Sequence, residues 1–138
     1  MMTNHREVFL DTNILVYANL DLSPFHQQAV QKLQQLDSQG VELWISRQTL
    51  KEYLSVMTRR GDLTGEIPIE SLVADIHFFQ TRFRVAEDGR QVTEKRLTLI
   101  EEVAVGGKQI HDANIVATML IYGVNDILTH NVRDFLRL

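Results

Sequence analysis

The chain has 138 residues, 44% of them hydrophobic and 23% charged, which fits one domain with a single core of two or three layers. Fourteen basic against eighteen acidic residues give a net charge of −4, so bulk charge does not draw the protein to nucleic acid, and any such contact must be local. The absence of cysteine removes disulfides, thiolate zinc sites and thiol nucleophiles, suits a reducing compartment, and makes a cytoplasmic location the expectation.

The start "MMTNHREVFLD" lacks the basic segment and long apolar run of a signal peptide. The most apolar stretch, Ile115 to Tyr122, is far below the roughly 18 residues of a membrane span. Neither export by that route nor a membrane partner is expected.

Val8 to Leu10 is a short run suited to a buried strand, and after the polar break "DTN" the run "ILVYA" begins a short helix. Ser23 and Pro24 read as an N-cap with proline in the first turn, opening a helix to about Gly40 with Phe25, Ala29, Leu33 and Leu36 as its stripe. "VELWIS" is a second strand, and Ser46 can cap a helix from about Gln48 to Arg60. "RRGDLTGEIP" reads as a loop. A further helix carries Ile69, Leu72, Val73, Ile76 and Phe79, and "FRVA" is a third strand. Gln91 to Val105 reads as a helix closed by Gly106 and Gly107. "QIHDANIVATMLIYG" is the clearest helix, with Ile115, Val116, Met119 and Leu120 on one face, and "DILT" is a last strand. Strands alternating with helices argue an α/β fold around a largely parallel sheet, whose ligands sit beyond the carboxyl ends of the strands.

Asp11 stands at such an end. Burying a lone carboxylate costs several kcal/mol or more, so Asp11 needs a partner. Asp112 lies one turn before the apolar stripe of its helix, Glu52 lies in the helix after the second strand, about two turns from a strand end, and Asn131 and Asp134 follow Thr129 at the end of the last strand. If these strand ends lie side by side, the acids converge and repel unless a cation shares them. Oxygen ligands alone suit Mg²⁺ or Mn²⁺. Each residue also has an ordinary reading. Asp11 can cap its helix, Glu52 can be a solvated surface acid, Asp112 can answer the helix dipole, and Asn131 and Asp134 are common turn residues. His111 and His130 read as surface or hydrogen-bonded groups. Arg47, Lys51, Arg59 and Arg60 read as a solvated face that could meet phosphates.

The ordered set is more specific than its parts. A strand running into "DTN", an acid in "LKEYL", "IHDANIVA" on an apolar helix and "LTHNVRDF" after a strand resemble the PIN-domain family over nearly the whole chain, most closely the VapC-type ribonuclease toxins. The resemblance implies a three-layer α/β/α sandwich with a mainly parallel sheet, and an acid cluster that binds Mg²⁺ or Mn²⁺ and hydrolyses RNA. The family's first three acids fall on Asp11, Glu52 and Asp112, its polar pair on Thr12 and Asn13, and its fourth position on Asn131, with Thr129 before it and Asp134 nearby. Asn131 puts an amide where many relatives carry a carboxylate, so one firmly bound metal is expected. The chain also ends at Leu138, before the last short strand that similar proteins carry, which implies a single domain short of that strand.

In the implied mechanism Asp11 and Asp112 hold the metal, Glu52 helps position it or orients the attacking water, and Asn131 or Asp134 completes the outer shell. No covalent nucleophile is needed. The implied partners are RNA, a cognate antitoxin protein and a second copy of the chain. Two alternatives remain at this point. One is a PIN-like scaffold that binds RNA or protein without cutting. The other is a phosphoryl-transfer enzyme of the haloacid dehalogenase or response-regulator type, against which stand Asn13 where a second acid is wanted and His5 and Arg6 where a regulator carries acids.

Overall fold

The computed structural model describes residues 6–64, 67–103 and 109–130, without the side chains of residues 60–64, 103, 109 and 111. In chain order the elements are β1 (Glu7–Leu10), α1 (Thr12–Ala18), α2 (His26–Ser38), β2 (Glu42–Ser46), α3 (Arg47–Thr64), α4 (Ile69–Arg82), β3 (Arg84–Ala86), α5 (Arg90–Val103), α6 (Gln109–Tyr122) and β4 (Asp126–Leu128). The four strands form one parallel sheet in the order β3-β2-β1-β4.

Successive strand residues point to opposite faces, and the sequence uses this period to build two layers of core. Val8, Leu10, Leu43 and Ile45 pack on one face with Leu15, Leu36, Tyr53, Met57 and Phe79, from the helices between β1 and β3. Phe9 packs on the other face with Ile115, Met119 and Val124, flanked by Trp44 and Ile127. α5 then covers α6 through Val92, Leu99 and Ala117. Each large side chain fully buried in these layers contributes roughly 1.5 to 3 kcal/mol. The result is the expected α/β/α sandwich.

Strand order decides where a site can form. The chain adds β2 and β3 in turn on one side of β1, then returns through α5 and α6 to lay β4 on the other side. That reversal of strand order makes the β1/β4 junction the topological switch point, where an α/β sheet opens a crevice beyond its strand ends. Asp11 and Thr129 are the first residues beyond those two strands.

Several boundaries differ from the sequence reading. α2 begins at His26, because Ser23 and Pro24 form a turn in which the Ser23 hydroxyl accepts the Phe25 N–H at 3.1 Å. α3 runs on to Thr64 through most of the stretch read as a loop. Gly61 costs a helix only about 1 kcal/mol, and Met57, one turn earlier, is anchored in the core. In α4 the core takes Leu72 and Phe79, while Ile69 and Val73 are exposed. Leu120 of α6 is also exposed, because the sheet takes Ile115 and Met119 while α5 takes Val116 and Ala117. α5 starts one residue early, at Arg90, and the glycines read as closing it lie outside the described residues. Unlike the cap expected at Ser23, those expected at Ser46 and Gly123 do form. The Ser46 hydroxyl accepts the Thr49 N–H at 3.2 Å while the Thr49 hydroxyl accepts the Ser46 N–H at 3.0 Å. Gly123, at φ 74°, takes the left-handed turn that lets the Val124 N–H reach the Met119 carbonyl at 2.9 Å.

Candidate active site

Asp11 leaves β1 in an extended conformation, with φ −70° and ψ 148°, and its N–H continues the ladder to the Leu128 carbonyl at 3.0 Å. Its carbonyl accepts the Ile14 N–H at 3.0 Å and so opens α1. Its side chain makes no cap bond to that helix, so the ordinary capping role is not the one adopted. The carboxylate is buried, and the Thr129 hydroxyl donates to its Oδ2 at 2.8 Å across the switch point. A hydrogen bond to an ionised group in a partly buried setting contributes about 1.5 to 3 kcal/mol, which suffices to fix the rotamer.

Glu52 is held from both sides. The Thr12 hydroxyl donates to its Oε2 at 2.8 Å, and the Gln48 amide, one turn earlier in α3, donates to its Oε1 at 2.5 Å. A glutamate with both oxygens so engaged is not a solvated surface acid. The chain of contacts continues, with the Asn114 amide donating to Gln48 Oε1 and Arg96 Nη1 donating to Asn114 Oδ1 at 2.8 Å. This relay ties α5, α6, α3 and α1 together behind the site. Asn114 is buried at 3% exposure, so its polar atoms need these partners. The sequence reading did not single out Gln48, Arg96 or Asn114. The available signals were an amide inside the apolar run "ANIVA" and a glutamine one turn before Glu52.

Asp112 lies half-buried in the first turn of α6. Because α6 runs back along the sheet before entering β4, its first turn lies at the carboxyl end of the strands, and Asn114 two residues on joins the relay to Glu52. The structure thus brings Asp11, Thr12, Glu52, Asp112 and Thr129 to one end of the sheet. Among the described residues, no three histidine, aspartate or glutamate side chains form a group that could hold a metal by themselves. Both oxygens of Glu52 carry donors in this metal-free arrangement, the Thr12 hydroxyl on one and the Gln48 amide on the other. Asn13 is half-buried in the first turn of α1. Asn131 and Asp134 lie outside the described residues, as does the side chain of His111.

The basic stripe of α3 is partly spent. Arg47 donates to Glu87 at 2.8 Å and to Gln80 at 3.0 Å, and this guanidinium holds the Glu87 carboxyl below its ordinary range. Arg59 bonds the Ser55 carbonyl of its own helix. His130 is a ring-packing residue, with its centroid 4.2 Å from Phe25 and 5.4 Å from Tyr17.

The family model of the PIN domain matches residues 8–138. The chain belongs to the PIN domain family. Among solved structures this PIN domain is similar to VapBC2 from Rickettsia felis bound to a promoter DNA fragment, at 19% identity and TM-score 0.71 over 96% of this chain and 92% of that one. It is similar to VapC20 from Mycobacterium tuberculosis, described as a sarcin–ricin loop cleaving toxin, at 18% identity and TM-score 0.69 over 95% and 98%. A third likeness is VapBC-1 from nontypeable Haemophilus influenzae, at 21% identity and TM-score 0.61 over 95% and 91%. At such identities the likeness establishes a shared fold. No curated protein matches the chain. Among the described residues no helix is long and apolar enough to cross a membrane.

Proposed function

We propose that this PIN domain is a Mg²⁺- or Mn²⁺-dependent endoribonuclease and the toxin of a toxin–antitoxin pair. The observation that carries the reading is the pair of threonine clamps at the switch point. Thr129 holds Asp11 at 2.8 Å and Thr12 holds Glu52 at 2.8 Å, so two carboxylates from different elements are set at the crevice where a parallel sheet binds ligands. The fold shared with VapC-type toxins and VapBC complexes supports the choice of chemistry and an antitoxin partner.

The donor set fits a hard divalent ion. It is all oxygen, and Mg²⁺ is commonly held by one or two carboxylates with waters and substrate phosphate completing its shell. Asp11 and Asp112 would hold the ion, which when bound supplies water activation and charge neutralisation at the phosphate. Asp11 is oriented for this by Thr129. Glu52, fixed by Thr12 and Gln48, orients the attacking water on the phosphate rather than ligating directly. Burial of Asp11 among the carboxyl ends of β1 and β4 excludes bulk solvent from one side of the reacting centre.

The test is cleavage of a panel of structured and unstructured RNAs by the purified chain in Mg²⁺, Mn²⁺ or EDTA, beside Asp11→Asn and Asp112→Asn. The reading expects cutting that needs the ion and is lost in both variants while their circular dichroism is unchanged. Undiminished cutting in EDTA would refute it. A folded wild-type chain that binds neither ion and cuts no RNA would assign the protein to the non-catalytic scaffold instead.

A further inference from the structure

Beside Asp11 the structure holds a cavity of about 270 Å³ that the acid chemistry leaves unused. Among the described residues its wall includes Tyr17 from α1, Phe25, Gln28 and Lys32 from the start of α2, and Thr129 and His130 from the end of β4. Thr129 is shared. Its hydroxyl donates to Asp11 Oδ2, and the same residue lines the cavity, so the cavity opens next to the reacting centre. The larger groove of about 480 Å³ along α5 lies at the opposite end of α6 from Asp112 and touches none of the site residues.

We infer that this cavity is a subsite for one unpaired nucleobase of the RNA strand, next to the phosphate at the acids. The inference rests on the nuclease reading and adds to it the recognition of a flanking base. Its wall has the chemistry of a base platform. Tyr17, Phe25 and His130 form an aromatic triad with centroid separations of 5.1, 4.2 and 5.4 Å and tilted or edge-on rings, and unstacked bases are recognised by stacking on such rings. Gln28 offers an amide donor and acceptor for a base edge. Lys32 brings an exposed ammonium to the same opening, the local positive charge that a protein of net charge −4 needs to meet a phosphate. The size agrees. Sites for drug-sized ligands run to roughly 300 to 1,000 Å³, so this volume suits a single base rather than a folded oligonucleotide. The corner is also rigid, since His26 Nδ1 donates to the Tyr17 carbonyl at 2.9 Å and fixes the start of α2 against α1.

The experiment reads binding without cleavage. Isotope-labelled full-length protein is titrated in EDTA with AMP, GMP, CMP and UMP, and with ribose 5-phosphate as the baseless probe, while amide resonances are followed by NMR. The expected result is a shift at Tyr17, Gln28, Ala29 and Thr129 with nucleotides and not with ribose 5-phosphate. Phe25→Ala should weaken it by about fivefold or more, the lower end of what one base stacked on one ring contributes. Gln28→Ala, at an exposed position that leaves folding untouched, should change the order of preference among the four bases. No shift with any nucleotide would overturn the inference. So would equal shifts with ribose 5-phosphate, which would reduce the site to phosphate on Lys32. Cavity amides silent to nucleotides but protected in the complex with a co-purified protein partner would overturn it in favour of a protein-binding surface. Failure of the two readings is distinguishable. Nucleotide binding by a chain that cuts no RNA refutes the nuclease and keeps the base site. Cutting that an abasic substitution beside the scissile phosphate leaves unchanged refutes the base site and keeps the nuclease.

Discussion

Replacing Asn114 by alanine cuts the relay behind Glu52 at its middle. The substitution removes the acceptor of the Arg96 bond at 2.8 Å and the donor to Gln48, from a side chain that is 3% exposed. A hydrogen bond to a charged group contributes about 1.5 to 3 kcal/mol and a neutral one about 0.5 to 1.5 kcal/mol. Arg96 is half-exposed and recovers part of its loss from water. The net expectation is therefore a destabilisation of about 2 to 3 kcal/mol, or roughly 6 to 12 °C in Tm for a domain of this size. Urea unfolding of wild type, Asn114→Ala, Arg96→Ala and the double variant measures it, with a constant m-value confirming that the denatured state is unaltered. The two single changes should fail to add, because either one removes the same bond. A loss under about 0.5 kcal/mol, or strict additivity within about 0.3 to 0.5 kcal/mol, would refute the relay as a structural unit. Its link to chemistry has its own readout. With Gln48 no longer anchored by Asn114, its bond to Glu52 is held less firmly, so kcat should fall while KM for RNA changes little.

Thr129→Val keeps the shape of the clamp on Asp11 and removes its hydroxyl. Partners that orient a metal ligand typically contribute about 10- to 100-fold in metal affinity, so Mn²⁺ affinity measured by calorimetry should drop within that range while the far-ultraviolet circular dichroism is unchanged. The phenol of Tyr53 is buried and donates to Asp75 Oδ2 at 2.7 Å, and burial first, then that bond, pushes its pKa above the ordinary tyrosine value. The fold holds the neutral form, so this stability is fully present below pH about 10 and declines at higher pH, where the unfolded chain gives up the proton first, by up to about 1.4 kcal/mol per pH unit. Tyr53→Phe should be less stable at neutral pH and should flatten that alkaline decline in a series of urea midpoints, whereas an unchanged decline would place its cause elsewhere.

Much of the fold was legible because local signals agreed with one another. Val8 to Leu10 and Leu43 to Ile45 place side chains on alternate faces as a two-sided strand must, and the Ser46 cap and the glycine after Tyr122 mark real helix ends. The helix through Thr64 was hidden by a glycine that a helix tolerates at modest cost, and the exposure of Ile69, Val73 and Leu120 was hidden because an apolar stripe does not state how many neighbours it meets. The positions of Asp11, Glu52 and Asp112 could be named from the motifs that resemble the family. Thr12 and Thr129 could be named with them, but not the oxygens they hold, nor the parts played by Gln48, Arg96 and Asn114. Thr129 clamps Asp11 from 118 positions away, and Gln48 meets Asn114 from 66, distances over which no periodicity carries information. His130 is a surface residue as read, and its packing against Tyr17 and Phe25 is a tertiary contact that the sequence did not state.

The claim that most needs testing is that the acids at the β1/β4 switch point hold a divalent ion. Titration of Mn²⁺ into the metal-free chain, followed by electron paramagnetic resonance, tests it directly, with Asp11→Asn, Asp112→Asn and the remote Glu101→Gln as comparisons. The expected result is one ion bound per chain, lost in the two site variants and retained in Glu101→Gln. Binding that survives both Asp11→Asn and Asp112→Asn would contradict it, because the ion would then be held somewhere other than the crevice that the strand order creates.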